Sequence, residues 1–426
     1  MKSMKSIRLI EHESAEVVDY PHDTKLNFLD IEALERVQRS MKVEAFNWAG
    51  RNQVKATQYV GMLASAGARL EILPKIDGLD EGHTRRILMR MIGIAWDVLV
   101  QEGEVTDHEC QNSDLLELLI RSFARRLQEQ IRAGVSRAYR RHEDDLSRLR
   151  GKMDITRQFT KLAASPQKLA CRYDEFTADI TLNRLLLCAV IFLRRQSVSA
   201  STQRLLNEIV AHFSDVRLVS ASEALATKFA PDRVNQRWEI LARLARLFLL
   251  SEYQTAHGGK QEGIALLFDM NILFESYVAA LARKACWRRG EEVSTQGPHD
   301  YLTCNKAFQT RPDVHVKRGN DVFVLDTKWK KLDPGKPNWG VNQNDAYQMH
   351  AYAHVYKSCA TILLYPHHSG ISAPPGERMR WQFKSGDSSL ILATIDVAKP
   401  RDELVAALRR LLDSPEERMR STLAVA

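Results

Sequence analysis

Hydrophobic and polar positions change their rhythm twice along this 426-residue chain. Up to about residue 83 the pattern is mainly strand-like, with one short helical stretch from Asp30 to Met41. Two apolar runs, Ala56 to Ala64 and Ala68 to Ile76, flank the small residues Ser65, Ala66 and Gly67, the signature of a β-hairpin. Pro74 near the second run's end, lacking an amide hydrogen, marks an edge or a terminus. From 84 to 257 apolar residues recur at spacings of three and four. They predict helices over Arg85 to Gln101, Leu115 to Ala133, Leu182 to Gln196, Thr202 to Phe213 and Val234 to Ser251. Thr181 is the expected N-cap of the third, with Asp179 adding favourable charge just upstream.

Beyond a break at His257-Gly258-Gly259-Lys260, a third pattern runs from 258 to 426. It predicts a helix over Leu266 to Lys284, strands at Asp313 to Lys317 and Val322 to Trp329 turning at Gly319-Asn320, and a loop from Asp333 to Asn344. A helix from Asp345 to Lys357, strands at Ala360 to Tyr365 and Ser389 to Asp396, and a helix from Arg401 to Leu412 complete it. The expectation is an α/β protein in three parts: a β-rich module (1–83), a helical connector (84–257) and an α/β domain (258–426).

The chain is 44% hydrophobic and 27% charged, which excludes disorder as the main state. Its net charge of +8 permits a polyanionic partner without demanding one. Residues 121–160 hold 11 Lys/Arg against 5 Asp/Glu, with Arg137, Arg140, Arg141, Arg148, Arg150 and Lys152 crowded around Tyr139. This stretch reads as a solvated helix face or as a phosphate-tracking or subunit-contact surface. The six cysteines are scattered without a C-x-x-C, which fits a reducing cytoplasm and argues against a zinc or disulfide framework. The longest uncharged apolar stretch, Leu185 to Leu193, is too short for a bilayer, and the first residues lack a signal-peptide core. The chain is therefore expected to be cytoplasmic.

Candidate chemistry concentrates in the hairpin. Residues two apart on a strand share a face, so Asp326 and Lys328 project together, and the turn at Gly319-Asn320 can bring Asp313 beside them. Two hard carboxylates suit Mg²⁺, which activates water and offsets charge on a phosphodiester, while an adjacent Lys can orient that water. Glu275, a lone acid on a mainly apolar helix, and Gln348 with Tyr352, four apart on one helix face, are the accessory candidates: an acid, and contacts to a DNA phosphate or to the metal site's surroundings. His350 and His354 have ligand spacing, but no H-E-x-x-H or third ligand supports zinc, and His367-His368 reads as exposed. No G-x-S-x-G is present, and neither Gly-Gly-Lys260 nor Pro-Gly-Lys336 completes a P-loop, so the chain binds no nucleoside triphosphate by that route.

Arg311-Pro312-Asp313 followed by Val324-Leu325-Asp326-Thr327-Lys328-Trp329-Lys330 resembles the core of the PD-(D/E)xK nucleases. The surrounding text resembles the McrC family, the nuclease subunit of the McrBC modification-dependent (type IV) restriction systems. Leu70-Glu71-Ile72-Leu73-Pro74-Lys75-Ile76, Leu149-Arg150-Gly151-Lys152-Met153-Asp154 and Tyr173-Asp174-Glu175-Phe176 with Asp179, Leu182, Asn183 and Arg184 carry this second likeness. It spans residues 40 to 365; the segments before and after match nothing. The resemblance implies a restriction-endonuclease-like domain at 258–426 that cuts double-stranded DNA in antiviral defence. It also implies a partner, a McrB-type AAA+ GTPase hexameric ring, which reads 5-methylcytosine, is capped through the N-terminal module and has its GTP hydrolysis stimulated. By motif, Asp313 and Asp326 would bind Mg²⁺, Lys328 would assist the attacking water, Glu275 would be an accessory acid, and Gln348 with Tyr352 would match a Q-x-x-x-Y element. The stretch Arg137 to Lys152 is the candidate for stimulating the GTPase. Two other readings remain: a stand-alone nuclease of the same fold, and a non-catalytic adaptor of an AAA+ ring.

Overall fold

A computed structural model describes residues 5–413 apart from 21, 23–24, 66, 96–109, 112, 166, 227–234, 258–262, 288–289 and 385. It is a mixed α/β structure that divides into two compact units, residues 1–115 with 267–426, and residues 116–266. Among the described residues no helix is long and apolar enough to cross a membrane.

The first unit opens with strands β1 (Lys5–Ile10), β2 (Ser14–Val18) and β3 (Leu26–Asn27), helix α1 (Phe28–Ser40), strands β4 (Phe46–Trp48), β5 (Gln53–Ala56), β6 (Tyr59–Ala64) and β7 (Ala68–Leu73), and helix α2 (Glu81–Ala95). Asn27 caps α1 through a reciprocal bond with Asp30, which explains why the helix starts there. The expected hairpin is β6 and β7, paired antiparallel. Pro74 marks a terminus, since β7 ends at Leu73 and lies between β1 and β6 in its sheet. Glu71, fully buried on β7, binds both Nε and Nη2 of buried Arg85 (2.8 and 2.7 Å) and accepts the Leu115 amide at 2.9 Å. A buried carboxylate satisfied by a two-point guanidinium contact gives the Leu70–Ile76 motif a structural reason.

The second unit holds α3 (Leu115–Arg132), β8 (Ala138–Leu146), β9 (Lys152–Met153), α4 (Ile155–Thr160), β10 (Leu169–Thr177) and helices α5 (Thr181–Gln196), α6 (Ala200–His212), α7 (Ala221–Ala226) and α8 (Glu239–His257). The basic stretch expected on a helix lies instead on β8, paired with β10 in an antiparallel ribbon. With both faces of β8 half or fully exposed, no apolar alternation betrays the strand. Gly151 turns between β8 and β9 at φ +69°, and a Cβ there would meet Arg172 O at 2.5 Å, so only glycine fits. Thr181 is not the N-cap of α5: Ile180 holds that position without a side-chain bond, and Asp179 is occupied by the Arg184 guanidinium.

Back in the first unit, the helix expected from Leu266 starts later. Residues Ile264–Asp269 form β11, beside β6, and Asp269 caps α9 (Met270–Cys286) by accepting the Asn271 amide. The predicted break at 257–260 lies, beyond His257, outside the described residues. Then come β12 (Glu292–Thr295), the short pair β13 (Asp300–Tyr301) and β14 (Gln309–Thr310), β15 (Val314–Arg318), β16 (Asp321–Thr327), α10 (Gln343–Val355), β17 (Ala360–Pro366), β18 (Gly376–Gln382), β19 (Ser389–Ile395) and α11 (Arg401–Leu412). A six-stranded sheet runs in the order β12-β15-β16-β17-β19-β18. Strands β16, β17 and β19 are parallel neighbours, and their nearly continuous apolar sequences match burial on both faces. Gly319, at φ +58°, supplies the first position of the two-residue turn joining β15 to β16. Helix α10 packs on this sheet through Met349, Tyr352 and Tyr356, against Val324, Leu363 and Leu392.

Candidate active site

The register of β15 against β16 pairs Val314 with Leu325, so the next step toward the strand ends sets Asp313 opposite Asp326. The backbone of Asp313 is pinned from outside the hairpin: the Gln296 amide donates to its carbonyl at 2.9 Å, and the Gly297 amide donates to Pro312 O at 3.1 Å. Its side chain is pinned from within, because the amide and hydroxyl of Thr327 both donate to Oδ2, at 2.7 and 2.8 Å. Asp326 closes the other side at the end of β16, only 2% exposed, with Lys328 Nζ 2.6 Å from its Oδ2. The Lys328 amide donates to Leu364 O at 3.0 Å, tying the lysine's backbone to neighbouring β17.

Electrostatics follow from this crowding. Burial, and then the charge of Asp313, push the Asp326 carboxyl up to about 6, against the pull of Lys328. Asp313 is raised by burial and then by Glu275, partly offset by the Thr327 bonds and Lys328. Burial works against the charge of Lys328, but Asp326 and then Asp345 and Asp313 outweigh it and hold the ammonium above its ordinary range. One lysine thus shares a buried pocket with an excess of acid.

The predicted accessory residues fall around this centre. Glu275, from α9, accepts a 2.6 Å bond from Gln296 Nε2, and its charge is felt at Asp313. Gln348 Nε2 donates to the Tyr352 hydroxyl at 2.8 Å, and that hydroxyl donates to Arg311 O at 3.0 Å. Tyr352 is 5% exposed, so its phenol braces the backbone leading into Asp313 from behind. His350 rests against Phe383 with ring centroids 5.0 Å apart, and His368 Nε2 is 2.8 Å from Leu332 O.

Several neighbours carried no usable sequence signal. Asp345, in the first turn of α10, lies with Oδ1 3.8 Å from Lys328 Nζ. Tyr365, buried on β17, is pushed up by burial and then by Asp345 and Asp326. Trp329, directly after the lysine, donates from Nε1 to Glu11 Oε2 at 2.9 Å, across 318 positions of sequence, and stands edge-on to Phe274 at 5.2 Å.

Among the described residues no group of three or more His, Cys, Asp or Glu side chains forms a ready metal cage. The donors present are nonetheless hard carboxylate oxygens, that of Asp326 buried and that of Asp313 half-buried, each raised by burial and by a neighbouring acid. That is the condition a divalent cation relieves, and Mg²⁺ is bound by one or two carboxylates with retained waters. The donor chemistry fits Mg²⁺ and does not suit a soft metal.

Comparison with known proteins decides the family. A model described as "McrBC 5-methylcytosine restriction system component" matches residues 54–366, well over half the chain. The chain belongs to the McrBC family. No curated protein matches it. Among solved structures, it is similar to a chain of the refined half-complex from a tetradecameric assembly of Thermococcus gammatolerans McrB AAA+ hexamers with bound McrC. That likeness has a TM-score of 0.72 at 20% identity, and covers 96% of this chain and 99% of the other. A chain of the cryo-EM structure of the T. gammatolerans McrBC complex is similar over 66% of this chain and 88% of its own, with a TM-score of 0.52 and 21% identity. At these identities the two structures speak for the fold.

Proposed function

We propose that this McrBC-family chain is a metal-dependent DNA endonuclease subunit that acts with an AAA+ GTPase ring. The observation that carries the reading is the meeting of Asp313, Asp326 and Lys328 at one sheet end. Asp313 and Asp326 would hold Mg²⁺, which when bound supplies a water of lowered pKa and positive charge against the phosphate. Thr327, Gln296 and the Tyr352 hydroxyl keep Asp313 and its backbone in place, while Lys328 presents the ammonium that offsets charge on the phosphodiester. The domain at 258–426 is on this reading a restriction-endonuclease-like PD-(D/E)xK module, with Glu275 its accessory acid.

The ring partner is supported by the solved structures of similar fold, one an assembly of McrB AAA+ hexamers with bound McrC and the other a McrBC complex. The ribbon of the second unit has a surface suited to such a contact: the Tyr139 and Phe176 rings meet at a tilt, centroids 5.0 Å apart and both largely exposed, among the arginines of β8. Methylcytosine is the modification the family description names, and its recognition would rest with the partner.

The test is cleavage of methylated duplex DNA by the full chain with Mg²⁺, a McrB-type ring and GTP. Asp326→Ala should lose cutting and keep ring binding and GTPase stimulation. Retained cutting removes Asp326 from the site, and cutting without any ring favours the stand-alone nuclease.

A further inference from the structure

Asp345 occupies the third position of α10, where an acid ordinarily serves the helix. In α1 Asp30 holds the same position and does so, accepting the Asn27 amide at 3.1 Å. Asp345 makes no such bond. Asn342 caps α10 alone, and Asp345 Oδ2 is buried without a hydrogen-bond partner. Its side chain is 14% exposed, its Oδ1 lies 3.8 Å from Lys328 Nζ, and its charge reaches both Asp326 and buried Tyr365. A carboxylate with one buried, idle oxygen has given up helix capping for something else.

The reason lies in a conflict at Asp326. Lys328 grips Asp326 Oδ2 at 2.6 Å, yet on the proposed reading Asp326 must also hold a divalent cation. An ammonium and a divalent ion on one buried carboxylate repel each other strongly, because little solvent lies between them. The ammonium therefore needs a second acid within a small side-chain movement. We infer that Asp345 is a positioning residue that takes the Lys328 ammonium when Asp326 turns to the cation. Lys328 then stays charged and close to the reacting phosphate instead of competing for the metal ligand. This inference rests on the metal-dependent nuclease reading of the same site.

The test uses Mn²⁺ alone, titrated into the EDTA-treated full chain and followed by electron paramagnetic resonance. Four proteins are compared: wild type, D345N, K328Q and D345N/K328Q. With Asp345 neutralised the ammonium stays on Asp326, so D345N should weaken Mn²⁺ binding roughly tenfold, the scale of losing a group that orients a ligand. K328Q has no ammonium to displace, so D345N/K328Q should bind as K328Q does. Two results overturn the inference while leaving the nuclease reading intact. One is wild-type affinity in D345N; the other is equal weakening by D345N with and without Lys328, which would make Asp345 a direct ligand or a prop. Failure of the wild type itself to bind Mn²⁺ overturns both. Circular dichroism of the near-isosteric variants confirms that each is folded.

Discussion

Glu11 offers the sharpest thermodynamic prediction, because this buried acid sits in a pocket that favours its neutral form. It is 1% exposed, at the end of β1, and burial pushes its carboxyl up to about 7 despite bonds from Trp329 and the Lys75 amide. In the unfolded chain the same group titrates near 4.5. A proton held more tightly in the folded state favours folding fully below about pH 4.5, and that advantage is lost as the pH climbs through about 7. At 1.36 kcal/mol per unit, the ionised side chain costs the fold on the order of 3 kcal/mol at pH 8. Glu11→Gln keeps an acceptor for Trp329 and cannot ionise. The variant should therefore match wild type near pH 4.5 and exceed it by up to about 3 kcal/mol at pH 8. Urea unfolding of the full chain in EDTA, followed by tryptophan fluorescence across that range, measures the difference. A gap that does not widen with pH, or a Gln variant weaker than wild type at pH 8, refutes the reasoning.

Other variants probe the remaining links. Glu71→Ala takes the buried carboxylate from Arg85 and leaves it only Cys110 O and the outer Glu81, and removing one partner of a buried pair should cost about 3–5 kcal/mol, read as a lower urea midpoint. Tyr352→Phe deletes the bond to Arg311 O and should lose about 1 kcal/mol of stability together with part of the cleavage rate, compared in parallel unfolding and DNA-cutting assays. Chelation of divalent ions should abolish cutting of methylated DNA, while added Mg²⁺ should raise the melting temperature of wild type and not of Asp326→Ala; an equal rise in both would place the ion elsewhere.

What the sequence disclosed follows from how local each signal is. The hairpin carrying Asp313, Asp326 and Lys328 was legible because a two-residue glycine turn fixes register, and register fixes which side chains meet. Helix α5 was legible from its apolar spacing. The β8–β10 ribbon was not: Ala-Tyr-Arg-Arg-His-Glu-Asp-Asp-Leu has neither face buried, so its arginines imitate a helical stripe. Asp345 looked like an ordinary acid in a helix's first turn, and only the unused cap bond sets it apart from Asp30. Glu11 could not be paired with Trp329 by any rule of spacing, since the contact is made by folding alone.

That last contact bears on how the site is held. The strand carrying Asp326 ends at Thr327 and leads into Lys328 and Trp329, and residues there are fastened to different supports: Thr327 to Asp313, Lys328 to β17 and to two acids, Trp329 to Glu11 and Phe274, and Lys331 to Asp77. Each support limits how far the ammonium can swing, and the backbone bond to Leu364 sets its pivot. On the inference above, the lysine would travel only the short distance between Asp326 and Asp345. A reaction that needs one cation delivered beside another gains from such a short, guided path, because a looser lysine would leave the phosphate or neutralise the metal's own ligand. On the proposed reading, the N-terminal sheet, through Glu11, thereby helps place the residues at 313–328.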